Sequence, residues 1–454
     1  MVLPEMKLLE MATWQILSVR VTKAALTCCH CGGGWRFHGS NISQRFEFRE
    51  VWHLPCHADK VILLPYNAAM NSSTFPVLAW MEGGGTKNAR WRSEAGLPPH
   101  AQVVVVDDKL NADAAWRIAC AGNAMLWRGD WQNARRLLQA MSQRADRRPR
   151  AGSQQAPNTP AEAFDQHRLR QGKRAQALAM LLVPLRADYV IPLRRAQDVR
   201  QACIEAYGPP GDEDSVVSLR ELLAVVSAHE WRKKGVPVPA VQGRIYPHYA
   251  VFSPVRGEYV DLVATAPLPA GCELAFDIGT GSGIIAAVLA RRGVKQVIAT
   301  DQDERALACA FENIEKLRLT AAITLLKADL FPEGRAPLVV CNPPWVPAQP
   351  TSPIEYAVYD PASRMLRGFL GGLAEHLTPD GEGWLIISDI AEHLGLRSRD
   401  ELLGWIKSAS LKVIARLDTR PKHPKAQDAG DPLHAARAAE VTSLWRLARL
   451  DGIN

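Results

Sequence analysis

Leu274-Ala275-Phe276-Asp277-Ile278-Gly279-Thr280-Gly281-Ser282-Gly283, followed by Ile284-Ile285-Ala286-Ala287-Val288-Leu289, is the stretch that decides how the second half of this chain folds. A short apolar run ends in an acidic residue, three glycines stand at alternate positions, and an apolar helical segment follows. Alternate glycines permit an unusual backbone path and let a ligand approach the main chain, while the start of the helix offers unpaired N–H groups. The segment therefore reads as strand, ligand-binding turn and helix. A nicotinamide or flavin fingerprint needs Gly-x-Gly-x-x-Gly, and Ile284 stands where its last glycine belongs. That disfavours an oxidoreductase.

Beyond this turn, strand-length apolar runs alternate with amphipathic helices almost to the end of the chain. Val297-Ile298-Ala299-Thr300 ends at Asp301; Ile323-Thr324-Leu325-Leu326 precedes Ala328-Asp329-Leu330; Leu338-Val339-Val340-Cys341 runs into Asn342-Pro343-Pro344-Trp345. Further strands are expected at 384–388, 413–417 and 441–447. That order predicts a doubly wound, mostly parallel sheet covered on both faces. The glycine turn, Asp301 and Asp329 then fall at three successive strand tips, where such sheets bind ligands. A carboxylate at the Asp301 position can accept both hydrogen bonds of a ribose diol and repels a phosphorylated ribose.

The spacing Asp277-x-Gly279-x-Gly281-x-Gly283 resembles the donor loop of class I methyltransferases, whose donor is S-adenosylmethionine. The resemblance implies that Asp277, Gly279, Thr280, Gly281 and Gly283 hold the amino-acid part of the donor. Asp301 with Gln302 then takes the ribose, Asp329 with Leu330 takes the adenine, and Asn342 contacts the donor as well as the acceptor. It also implies a seven-stranded Rossmann-like sheet with its last two strands antiparallel. No metal is called for.

Asn342-Pro343-Pro344-Trp345 points to the acceptor. An amide or exocyclic amino nitrogen is a poor nucleophile because its lone pair is delocalised. The Asn342 side-chain oxygen and the Pro343 carbonyl can each accept one of its N–H groups and concentrate negative potential where positive charge develops. Pro343 and Pro344 fix the backbone direction, and Trp345 offers a flat face for a planar group. Residues from about Tyr246 to Leu447 resemble the protein-glutamine methyltransferases that modify release factors and a ribosomal protein. These share an Asn-Pro-Pro-aromatic motif with amino methyltransferases of nucleic acids. Trp345 stands where that family usually has Tyr. Tyr359-Asp360-Pro361 and Arg367-Gly368-Phe369 resemble the family's following segment, with Asp360 at a position usually Glu. The acceptor is thus expected to be a glutamine of a translation protein. The alternative is an RNA or DNA base, with Arg194, Arg195, Arg200, Arg232, Lys233 and Lys234 as a phosphate-binding face. A noncatalytic partner-binding module is a further alternative, against which the complete Asn342-to-Trp345 motif argues. His376 and His393 lie on helical segments and read as structural.

The remainder of the chain is expected to be mainly helical. Residues 1–100 form a poorly defined region interrupted by Gly32–Gly34 and Gly83–Gly85, with Met70 or Met81 as a conceivable internal start. A helical hairpin follows at 101–150, a linker at 151–160 with Gly152, Ser153 and Asn158, and a helical substrate-recognition domain at 161–240. The catalytic domain spans 241–454, entered through a short hairpin at 244–263; the long connection through Pro421, His423, Pro424 and His434 is placed over the substrate entrance. With 454 residues, two or three structural units are expected. A net charge of +7 with 22% charged residues is mild; part of the excess lies in Arg144, Arg147, Arg148 and Arg150. No run is long and apolar enough for a membrane span and no secretory signal is visible, so a cytoplasmic location is expected. Scattered cysteines such as Cys272, Cys309 and Cys341 suit a reducing compartment. Cys28, Cys29, His30, Cys31, Cys56 and His57 contain one Cys-x-x-Cys spacing without a second pair, a weak zinc signature.

Overall fold

The computed structural model describes residues 75–146, 157–254, 257–421 and 430–450, together with two short antiparallel strands, His30–Cys31 and Gly34–Trp35. The residues from 75 onward belong to one compact unit, Asn71–Asn454. Most of the expected linker, Arg147, Arg148, Arg150, His423, Pro424 and the side chains of the amino-terminal Cys/His group lie outside the described residues.

The first layer is a six-stranded sheet. Its elements are β1 (Val77–Glu82), β2 (Gly85–Arg92), β3 (Val103–Val106), α1 (Ala112–Cys120), β4 (Ala124–Trp127), α2 (Trp131–Ala145), α3 (Pro160–Ala179), β5 (Leu181–Leu185), α4 (Arg200–Tyr207), β6 (Ser215–Ser218) and α5 (Leu219–Lys234). The strand order is β1-β2-β6-β5-β4-β3. Gly83 and Gly84, at φ +63° and +81°, make the tight turn between β1 and β2, so the glycine run joins two strands instead of interrupting the fold. Asn111 and Asp130 start α1 and α2 by accepting the Ala114 and Gln132 N–H groups, both at 2.9 Å.

This sheet corrects two expectations. The helical hairpin expected over 101–150 is β3-α1-β4-α2, and the helical domain expected over 161–240 contains β5 and β6. The reason is length and burial. Ala124–Trp127, Leu181–Leu185 and Ser215–Ser218 are buried at every position, so they carry no alternation to separate a strand from a piece of buried helix. Pro184 is tolerated because β5 pairs with β4 only through Leu181 and Leu182.

Two short strands, β7 (Val236–Val238) and β8 (Gly243–Ile245), pair antiparallel, and α6 (Glu258–Thr265) follows. The hairpin expected at 244–263 is therefore absent. Tyr259, Val260, Leu262 and Val263 are buried at helical spacing on α6.

The second sheet comprises β9 (Leu274–Ile278), β10 (Gln296–Asp301), β11 (Ile323–Lys327), β12 (Ala336–Cys341), β13 (Leu377–Ser388), β14 (Leu411–Thr419) and β15 (Thr442–Arg449). Its order is β11-β10-β9-β12-β13-β15-β14, with β15 antiparallel to both neighbours. Helices α7 (Ile284–Arg291), α8 (Glu304–Lys316), α9 (Arg364–His376), α10 (Ile390–His393), α11 (Arg399–Ser408) and α12 (His434–Ala439) connect the strands. Alternate strand residues feed two apolar layers. Ala275, Val340 and Ile386 join one with α7; Phe276, Val339 and Leu385 join the other with α9 and α11. Sheet order and helix placement make this a Rossmann-like α/β domain, and they bring the carboxyl ends of β9, β10 and β12 together.

Candidate active site

A cavity of about 630 Å3 opens over those strand ends. Gly279, Thr280, Gly281, Asp301, Gln302, Asp329, Leu330, Asn342, Pro343, Pro344 and Trp345 all line it. Asp277 and Gly283 do not, and their roles are internal to the loop. The Thr280 hydroxyl and the Ala286 N–H donate to Asp277 Oδ2 at 2.6 and 3.1 Å, folding the loop back onto its own strand. The other oxygen, Oδ1, is buried without a hydrogen-bond partner. Burial pushes the Asp277 carboxyl up to about 7. Gly283, at φ +79°, passes so close to α8 that a Cβ would sit 3.1 Å from the Ala310 methyl. A Cβ on Gly281, at φ +54°, would meet no protein atom within 4 Å; it would occupy the cavity itself.

Asp301 ends β10 and is partly committed. Its Oδ2 accepts the Gly281 N–H and its Oδ1 the Asp303 N–H, both at 3.0 Å, which leaves one lone-pair direction on each oxygen. Burial raises its pKa. Leu330 holds a left-handed φ of +78°, fixed by the Thr300 hydroxyl donating to its carbonyl at 2.5 Å. Asp329 is paired with Arg364 at 2.8 Å at an exposed edge.

At the tip of β12 the Trp345 indole N–H donates to Asn342 Oδ1 at 3.0 Å. This bond holds the carboxamide in one orientation and keeps the second lone pair of Oδ1 for a ligand. The chain then doubles back: the Val346 N–H donates to the Val358 carbonyl at 3.2 Å, and the Asp360 N–H to the Val346 carbonyl at 2.9 Å. The buried Asp360 carboxylate accepts the Met365 and Leu366 N–H groups at 3.0 and 3.1 Å, so it locks this return segment onto the start of α9.

The far wall comes from two segments, of which the connection before β15 was expected over the entrance, whereas the lining residues of α3 were not singled out. Phe164 and His167 come from α3, while Leu433, Arg437 and Glu440 come from the connection before β15. Arg168, next to His167, grips the segment that follows β12, residues 346–359. It donates to Glu355 at 3.3 and 3.1 Å and to the Gln349 carbonyl at 2.7 Å, and its guanidinium stands 4.2 Å from the Tyr359 ring centroid. No local pattern marks these residues; α3 reaches the cavity only through packing of the first sheet. His376 and His393 do not line the cavity. His376 bonds the Gly372 carbonyl and stacks on Phe331, and His393 faces Asp389 at 3.4 Å. No group of three or more metal-ligating side chains is present among the described residues, and no described helix is long and apolar enough to cross a membrane.

Residues 267–343, from the end of α6 through Pro343, match the family model described as ribosomal protein L11 methyltransferase (PrmA). The chain is 36% identical over 100 residues to a release factor glutamine methyltransferase of Rhodopirellula baltica, covering 20% of this chain and 34% of that protein. It is 38% identical over 68 residues to a ribosomal protein L11 methyltransferase of Exiguobacterium sibiricum, covering 14% and 22%. The chain thus spans about a third or less of the length of these relatives. A ribosomal protein L11 methylase structure from Lactobacillus delbrueckii subsp. bulgaricus aligns at 18% identity and TM-score 0.31, covering 43% of this chain and 79% of that one. Strand order makes this part of the chain a Rossmann-like α/β domain, and within it residues 267–343 are similar to the ribosomal protein L11 methyltransferase family. The sequence similarity lies with protein-glutamine and ribosomal-protein methyltransferases.

Proposed function

We propose that the chain transfers a methyl group from S-adenosylmethionine to the side-chain amide nitrogen of a glutamine in a protein of the translation apparatus, in the cytoplasm. The observation that carries this reading is that the glycine loop, Asp301 and the Asn342 oxygen line one cavity. The donor fits the residues present. Gly281 leaves room against the main chain, and Asp301 retains acceptors suited to a diol. When bound, the donor supplies an electrophilic methyl on a sulfonium.

The chain's own residues do the rest. The second lone pair of Asn342 Oδ1 and the Pro343 carbonyl take the two N–H groups of the acceptor and favour pyramidalisation of its nitrogen. Trp345 keeps Asn342 turned for that task and borders the planar amide. The segment 346–359, braced by Arg168 and Asp360, holds the side chain in place while Phe164 and Leu433 exclude water.

Charge pairing favours protein over nucleic acid. Arg195 binds Asp130 at 2.7 Å, Arg194 faces Asp108 at 3.5 Å, and Arg200 binds Asp198 at 2.6 Å. Arg232 pairs with Glu312, and Lys233 faces Glu230 at 3.6 Å. Five of the six basic side chains are thus ion-paired, which lowers the charge they offer to phosphate, while Lys234 lies over the Trp231 ring. At the cavity mouth Arg364 and Arg437 are likewise paired, with Asp329 and Asp431. The test is incubation with labelled donor and a methylation-deficient extract. Label that resists nuclease, is released by protease and is recovered as methylated glutamine supports the proposal. Label removed by nuclease alone overturns the acceptor class.

A further inference from the structure

We propose that a second ligand site, for a phosphate-bearing anion, lies among α2, α3 and α5. The pocket, of about 470 Å3, is lined by Gln132, Arg135, Arg136, Gln139, Ser142 and Arg220, with Leu138, Leu178 and Leu223 as its apolar floor. It shares no residue with the donor and acceptor cavity, so the proposal is independent of the methyl-transfer reading.

Its charge is organised unlike the surface just described. Among the described residues no carboxylate lies within ion-pair distance of Arg135, Arg136 or Arg220; Arg135 makes only a 3.5 Å contact to the Gln132 amide oxygen. The acid at the end of α2, Asp146, is taken by Arg174 at 2.8 Å. Arg174 also donates to Ser142 Oγ at 2.5 Å, which brings a further guanidinium to the rim. Partial burial and the neighbouring Arg174 lower the pKa of Arg220, against the opposing pull of Glu355, Tyr249 and Glu221.

Position adds a second argument. Arg220 stands in the first turn of α5, where the helix dipole opposes a cation and favours an anion. The acidic residue of that turn, Glu221, is engaged elsewhere, by the Glu94 N–H at 3.2 Å and the Tyr207 hydroxyl at 3.1 Å. Guanidinium forks with the amides of Gln132 and Gln139 beside them match the oxygens of a phosphate ester. That group could belong to a small phosphorylated molecule or to an RNA backbone.

The experiment uses the full chain and titrates it by calorimetry with pyrophosphate and with a short single-stranded RNA, in parallel with an Arg135→Ala/Arg136→Ala variant. Both substituted side chains are exposed, and an unchanged thermal-unfolding midpoint verifies that the variant is folded. Expected is binding to wild type that weakens with salt and falls about tenfold or more in the variant. Tight pyrophosphate binding with no gain from RNA assigns a small ligand; RNA binding that exceeds pyrophosphate assigns a nucleic-acid backbone. Absence of binding by both probes, or equal binding by the variant, overturns the site.

Discussion

Replacing Asp301 by Ala isolates the donor half of the account, because its readout needs no knowledge of the acceptor. A ribose diol places two hydroxyl donors on the lone pairs left free by the Gly281 and Asp303 N–H groups. Hydrogen bonds to a charged acceptor contribute about 1.5 to 3 kcal/mol each. Burial already raises the Asp301 pKa, so part of that gain is offset by the cost of keeping the carboxylate ionised, and a net loss of about 3 kcal/mol is expected. That corresponds to roughly a hundredfold weaker Kd for S-adenosylhomocysteine. Two backbone N–H groups also lose their acceptor, so thermal unfolding must verify that the variant remains folded. The Asp301→Asn protein, which keeps one acceptor oxygen, should bind with intermediate affinity. Wild-type affinity should decline on acidification at a higher pH than an ordinary carboxylate would give, since the ionised form is the better acceptor. A folded Asp301→Ala protein whose Kd lies within about threefold of wild type would refute the ribose assignment.

Further outcomes follow from the same geometry. Trp345→Phe keeps a ring but deletes the indole N–H, so turnover should fall about tenfold while S-adenosylhomocysteine affinity stays put; a parallel loss of both would mean that Trp345 acts only through packing. Arg168→Ala should raise KM for the acceptor about tenfold, with partial recovery in Arg168→Lys, and unchanged steady-state constants would remove the loop-bracing role. The Asp277 carboxyl, moved from an ordinary 3.8 to about 7, holds more proton in the folded than in the unfolded chain across that interval. Stability should therefore fall as pH rises from about 4 to about 7, by up to about 4 kcal/mol. Asp277→Asn should remove that slope in urea denaturation, and an identical slope in the variant would show that Asp277 ionises freely.

That these strand tips gather at one cavity was legible because each lies within a few residues of a strand end, where chemistry and local pattern coincide: Gly279 to Gly283, Asp301, and Asn342 to Trp345. Two assignments shifted once packing was visible. Asp277 and Gly283 belong to the same motif, yet one is turned inward beneath the loop and the other is pressed against Ala310. Three strands of the first sheet, β4, β5 and β6, were illegible for a physical reason, namely that strands of four or five residues buried at every position carry no period. The sheet's consequence for the site was hidden too. Phe164, His167 and Arg168 lie far from Asn342 in sequence, and only the packing of α3 against residues 346–359 joins them. The indole-to-amide bond between Trp345 and Asn342 spans three residues, and the donor capacity of Trp at that position was the signal available for it.

In the proposed reaction an Asn342 oxygen serves the acceptor and not the donor, within one shared cavity. The most direct measurement is single-turnover methyl transfer by Asn342→Ala at saturating donor, normalised to the donor occupancy read by calorimetry on the same sample. Donor affinity within about twofold of wild type, with transfer reduced at least about a hundredfold, is the predicted result. Transfer at the wild-type rate from a fully loaded variant would contradict it.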